Sequence, residues 1–119
     1  MDTERNILVV EDNVDIRSAL VEILNMEGHS TAEAINGRAA LNYLHNNPRP
    51  SMVLLDMMMP VMNGREFLDA LEKEPGCSGI PVIIISAIAD RIDTTGAKEC
   101  IGKPMDLNNL LDVVAKYLH

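Results

Sequence analysis

Three short apolar runs constrain this chain more than any other feature, because each of them stops on a polar group. Ile7-Leu8-Val9-Val10 stops on Glu11-Asp12, Met52-Val53-Leu54-Leu55 on Asp56, and Pro81-Val82-Ile83-Ile84-Ile85 on Ser86. Short runs that are apolar throughout suit strands buried on both faces, and such strands belong to parallel sheets covered by helices on either side. The core this requires has to be aliphatic. Trp, Tyr and Phe together make up 3% of the 119 residues, whereas hydrophobic residues make up 47%.

Helical periodicity fills the intervals between the runs. Asp12 or Asn13 can cap a helix carrying Ile16, Leu20, Ile23 and Leu24, and Gly28 stops it. Ser30 to Ala34 reads as a strand chiefly from its place between two helices. Asn36-Gly37 reads as a turn, and Ala40, Leu41 and Leu44 mark a second helix closed by Asn46-Asn47-Pro48. After Asp56 a loop runs from Met57 to Gly64. Phe67, Leu68 and Leu71 then give a third helix ending near Pro75-Gly76. Residues 87–97 read as a short, irregular fourth helix broken at Thr94-Thr95-Gly96. Glu99-Cys100-Ile101 is a short strand leading into Gly102-Lys103-Pro104, and Leu107, Leu110, Leu111, Val114 and Leu118 form a last amphipathic helix.

Strands alternating with helices at this spacing predict βαβ units with right-handed crossovers. The expected architecture is α/β: one domain over residues 1–119, with a doubly wound five-stranded parallel sheet of flavodoxin-like order 2-1-3-4-5. Ligands of such sheets bind beyond the carboxyl ends of the strands.

Those ends carry the chemistry. Glu11, Asp12, Asp56 and Ser86 close the apolar runs, and Lys103 stands near the end of the fifth strand. Carboxylates about 5 Å apart repel by roughly 3 kcal/mol per pair at an effective dielectric of about 20. One lysine does not neutralise three carboxylates; a hard divalent cation with oxygen ligands does, and Mg²⁺ suits one or two carboxylates plus water and phosphate oxygens. A carboxylate beside that ion can attack a phosphoryl group and become an acyl phosphate. The ion and Lys103 would offset charge on the transferring group, and the Ser86 hydroxyl can donate to one of its oxygens.

The segments Val9-Val10-Glu11-Asp12-Asn13, Leu55-Asp56-Met57-Met58-Met59-Pro60-Val61-Met62-Asn63-Gly64, Ile85-Ser86-Ala87 and Gly102-Lys103-Pro104 resemble, in order and across nearly the whole chain, the receiver domains of two-component response regulators. The resemblance implies that Asp56 is the phosphoacceptor, charged by a sensor histidine kinase or a histidine phosphotransfer protein. It implies that Asp12 binds Mg²⁺ directly, Glu11 largely through water, and the Met58 backbone carbonyl completes the protein ligands. Ser86 then matches the hydroxyl switch residue and Lys103 the phosphate-binding lysine, with a cis Lys103–Pro104 bond. Such a domain is not an enzyme beyond Mg²⁺-dependent self-phosphorylation and autodephosphorylation.

Three departures concern the readout, not the chemistry. Cys100 stands where the family has an aromatic switch, and Met105 where an aromatic often follows the Lys-Pro pair. The interval from Ser86 to Lys103 is also shorter than usual by about one helical turn. These features favour an alternative, a phosphorylation-independent interaction module on the same fold; the intact acidic pair, Asp56, Ser86 and Lys103 oppose it.

Charge and composition exclude other classes. Ten basic against eighteen acidic residues give a net charge of −8, which argues against nucleic acid and anionic membranes as direct partners. No signal peptide or membrane span is predicted, and the expected location is the cytoplasm. Cys77 and Cys100 read as free thiols. Met57, Met58, Met59 and Met62 suggest a soft-metal site, but the adjacent carboxylates suit hard cations, so packing is the better account. His29, His45 and His119 are isolated from one another in sequence and read as solvent-exposed. A flavin site would need a Ser/Thr/Gly-rich phosphate loop where Glu11-Asp12-Asn13-Val14-Asp15 stands. A P-loop motif is missing, and a haloacid-dehalogenase-type phosphatase would need an Asp at position 58, which is Met.

Overall fold

The computed structural model describes residues 6–57, 62–74, 76–77, 79–86, 96–102 and 106–118. The apolar runs form strands and the periodic segments form helices. In chain order they are β1 (Asn6–Val10), α1 (Val14–Met26), β2 (Ser30–Ala34), α2 (Gly37–Asn46), β3 (Met52–Asp56), α3 (Gly64–Lys73), β4 (Val82–Ser86), β5 (Glu99–Gly102) and α4 (Leu107–Tyr117). All strand pairs are parallel and the sheet order is β2-β1-β3-β4-β5, as expected. The expected fourth helix over 87–97 falls mainly on residues outside those described.

Period-two alternation divides the sheet into two cores. Ile7, Val9, Met52, Leu54, Ile83 and Ile85 point to one face, where α1 and α4 cover them with Leu20, Leu24, Leu110 and Val114. Leu8, Val10, Val53, Leu55, Val82 and Ile84 point to the other, covered by α2 and α3 through Ala40, Leu44, Phe67, Leu68 and Leu71. The central strands β3 and β4 are buried at every residue, which is why their sequences are apolar without alternation. The edge strand β2 is mostly exposed or half-buried, so Ser-Thr-Ala-Glu-Ala suffices there.

Side-chain caps set the helix starts. Asn13, Asn36, Asn63 and Asp106 each accept a hydrogen bond from a backbone N–H in the first turn of the helix that follows. Asn63 and Glu66 form a reciprocal capping box. Asn36-Gly37 is therefore not a free-standing turn: Asn36 is the cap of α2 and Gly37 its first residue. Leu107, expected on the core side of the last helix, is 47% exposed because it opens that helix beside the cap.

Candidate functional site

Register brings the polar strand ends together. Val10 pairs with Leu55, so Glu11 and Asp56 each stand one residue beyond that pair on adjacent strands. β4 lies on the other side of β3 and ends in Ser86, which pairs with Gly102 of β5. Glu11, Asp56 and Ser86 are the buried polar or charged side chains among the described residues, at 2%, 5% and 0% exposure. Asp12, next to Glu11, is exposed.

One carboxylate oxygen each from Glu11, Asp12 and Asp56 lie within 4.8 Å of one another. Like charges at that separation repel by roughly 3 kcal/mol per ionised pair at an effective dielectric of about 20. The β1–α1 turn is held firmly despite this. Asn13 N donates to Glu11 Oε2 at 3.2 Å, and Glu11 N donates to the Ala34 carbonyl at 3.0 Å. Arg17, reaching back from α1, donates through Nη1 to the Glu11 carbonyl at 2.9 Å and through Nε to Glu33 Oε1 at 2.9 Å. Arg17 escaped the sequence reading because a lone arginine on a helix carries no local signal; its spacing of six from Glu11 is visible only once the turn is built.

The loop after Asp56 is closed at both ends by glycines that begin helices. Gly64 N donates to the Met57 carbonyl at 3.2 Å, and Gly37 N donates to the Met62 carbonyl at 3.1 Å. Met57 is buried and Met62 packs against the same core, so these two methionines are packing residues. The arrangement is an acidic cluster whose three oxygens match the donor chemistry of a hard cation such as Mg²⁺.

Met58, Lys103 and Pro104 lie outside the described residues, as do Met105 and His119. Elsewhere, Cys77 is buried and Cys100 half-buried, both as free thiols, and burial pushes both thiol pKa values up. His29 is half-buried, not exposed as expected, whereas His45 is exposed as expected and its Nε2 lies 2.9 Å from Glu74 Oε2. Among the described residues, no helix is long and apolar enough to cross a membrane.

A strand-end acidic cluster on a 2-1-3-4-5 parallel sheet agrees with the receiver-domain resemblance read from the sequence. Residues 7–115 match the model of the response regulator receiver domain, and the chain belongs to that family. Among curated relatives it is 39% identical over 117 residues to sporulation initiation phosphotransferase F of Bacillus subtilis, covering 94% of this chain and 92% of that one. It is 36% identical over 112 residues to the phosphate regulon transcriptional regulatory protein PhoB of Escherichia coli, covering 90% of this chain but 48% of that protein. The chain thus spans about half the length of PhoB. Among solved structures, a response regulator receiver protein from Pseudomonas putida superposes with a TM-score of 0.88 at 26% identity, covering 98% of this chain and 99% of that one.

The function is two-component phosphorelay signalling, and the phosphorylation-independent alternative is not favoured. Receiver domains work with histidine kinases or phosphotransfer proteins, and a receiver domain is in general not an enzyme in its own right.

Proposed function

We propose that Asp56 accepts a phosphoryl group from a sensor histidine kinase or a histidine phosphotransfer protein, in a step that depends on Mg²⁺. The observation that carries this reading is the convergence of the Glu11, Asp12 and Asp56 oxygens within 4.8 Å at the carboxyl edge of the sheet. Asp12 and Asp56 would hold the ion directly and Glu11 largely through water, and the family resemblance assigns the remaining protein ligand to the Met58 backbone carbonyl. When bound, the ion supplies positive charge against the carboxylates and the incoming phosphoryl oxygens.

The transfer is a displacement at phosphorus. An Asp56 carboxylate oxygen forms the new P–O bond as the donor's P–N bond breaks, and the released imidazole nitrogen takes a proton from solvent. The Ser86 hydroxyl donates to a phosphoryl oxygen and the Lys103 ammonium offsets its charge. Water attacking the acyl phosphate later returns inorganic phosphate and the free carboxylate, which is the autodephosphorylation expected of this site. The product changes the binding of an output protein. The chain acts as one domain over residues 1–119 in the cytoplasm, a location that the free thiols of Cys77 and Cys100 support.

Incubation with a small phosphodonor tests this. Label should enter the wild-type protein with Mg²⁺, disappear with a chelator and be missing from Asp56→Asn. Retention of label by Asp56→Asn rules out Asp56 as sole acceptor.

A further inference from the structure

We infer that Gly37 is a positioning residue for the phosphoacceptor, acting through Met62 on the main chain that carries Asp56; the inference rests on the reading of Asp56 given above. Gly37 is buried in the first turn of α2, yet its φ is not in the left-handed region, so the backbone conformation there is open to any residue. A glycine in a helix gives up as much as about 1 kcal/mol of propensity relative to alanine. Close approach accounts for it. Gly37 N donates to the Met62 carbonyl oxygen at 3.1 Å. A Cβ at position 37 would stand 2.8 Å from that oxygen and 2.7 Å from Met62 Cγ. The methionine side chain can swing aside, but the carbonyl oxygen moves only with the loop.

The joint continues to the acceptor through main-chain atoms. Asn63, the residue after Met62, caps α3 through the box with Glu66. Gly64 follows, donates to the Met57 carbonyl, and lies so close that a Cβ on it would meet Met57 Cα at 2.7 Å and the Asp56 carbonyl oxygen at 3.1 Å. Five residues, Gly37, Met62, Asn63, Gly64 and Met57, thus link the start of α2 to Asp56 with little free space between them. A displacement of a few tenths of an ångström at Gly37 is passed along the loop to the carboxylate.

The test compares wild type, Gly37→Ala and Leu44→Ala. Leu44 is a buried residue near the other end of the same helix, so its loss destabilises α2 while leaving the Gly37–Met62 backbone bond in place. Mg²⁺ affinity is measured by titration of each folded variant, together with the initial rate of labelling from a small phosphodonor at saturating Mg²⁺. Gly37→Ala should weaken Mg²⁺ binding by about tenfold, the lower end of what a disturbed supporting residue costs a metal site. Labelling should slow in parallel, and Leu44→Ala should lose stability while keeping wild-type affinity.

Wild-type affinity in Gly37→Ala, or an equal loss in Leu44→Ala, overturns the inference. If Gly37→Ala does not fold, Asn63→Ala, which removes the cap holding the main chain between Met62 and Gly64, probes the joint from the loop side. Weakened Mg²⁺ binding there supports the joint and unchanged binding refutes it. A wild-type protein that neither binds Mg²⁺ nor takes up label removes the Asp56 reading itself; a wild type active in both, with an equally active Gly37→Ala, removes only this inference.

Discussion

Asp56 stands opposite Ile85 across β3 and β4, so Ser86 reaches one residue further along its strand than the carboxylate does along its own. That offset sets residue 86 one step beyond the acceptor at the carboxyl edge of the sheet. Ser86→Ala should leave Mg²⁺ affinity unchanged but slow labelling of Asp56 by about a hundredfold, the scale for removing one donor to developing charge. Ser86→Thr, which keeps the hydroxyl, should restore most of the rate. Initial rates with a small phosphodonor at saturating Mg²⁺ check both variants.

Crowded carboxylates destabilise the metal-free protein. Asp12→Asn should therefore raise stability in chelator by about 1 kcal/mol, a fraction of the Coulomb repulsion because Asp12 is exposed. The same substitution should abolish most of the Mg²⁺ response. Wild type at a hundredfold excess of Mg²⁺ over its dissociation constant gains about 2.7 kcal/mol by linkage. Urea unfolding with and without Mg²⁺ measures the crossover; an Asp12→Asn protein that is less stable in chelator contradicts it.

Arg17 fastens the turn that carries the acidic pair. Its side chain is 14% exposed and bonds both the Glu11 carbonyl and Glu33. Arg17→Ala should cost about 2 kcal/mol, the usual range for lost hydrogen bonds from a charged group. Denaturant midpoints check this, and a loss too small to resolve would mean the two bonds do not hold the turn.

Away from the site, Glu99 accepts hydrogen bonds from Tyr117 Oη at 2.9 Å and Lys116 Nζ at 3.2 Å, joining β5 to α4. The Tyr117 bond, with Lys116 second, holds the Glu99 carboxyl below its ordinary value of 4.5. A carboxyl lowered on folding stabilises the protein above its unfolded pKa, and that stabilisation is lost as pH falls through the folded pKa. The Glu99 side-chain resonance should titrate later on acidification than that of an unpaired glutamate. Tyr117→Phe should move its midpoint upward; an unmoved midpoint contradicts the assignment.

The sheet and the three converging carboxylates were legible because buried parallel strands advertise themselves as unbroken apolar runs, and the residue closing each run must lie at the sheet edge. Ser30 to Ala34 was harder to read, since an edge strand needs little hydrophobicity. Asn36-Gly37 has the same local signature as a turn and as a cap followed by a helix's first residue, and the Asn36 side chain accepting from Ala39 N distinguishes them. The ion pair of His45 with Glu74 was not legible because the two lie 29 residues apart in sequence. Arg17 and Gly37 act on the site through backbone atoms, and side-chain patterns carry no record of such contacts.

The most direct measurement is a crystal structure of the protein with Mg²⁺ and beryllofluoride. The expected result is beryllofluoride bonded to an Asp56 carboxylate oxygen, with the cation beside it on Asp12 and Asp56 and with Glu11 in its water shell. An Asp56 left bare, with the cation bound away from Glu11 and Asp12, would contradict the central claim.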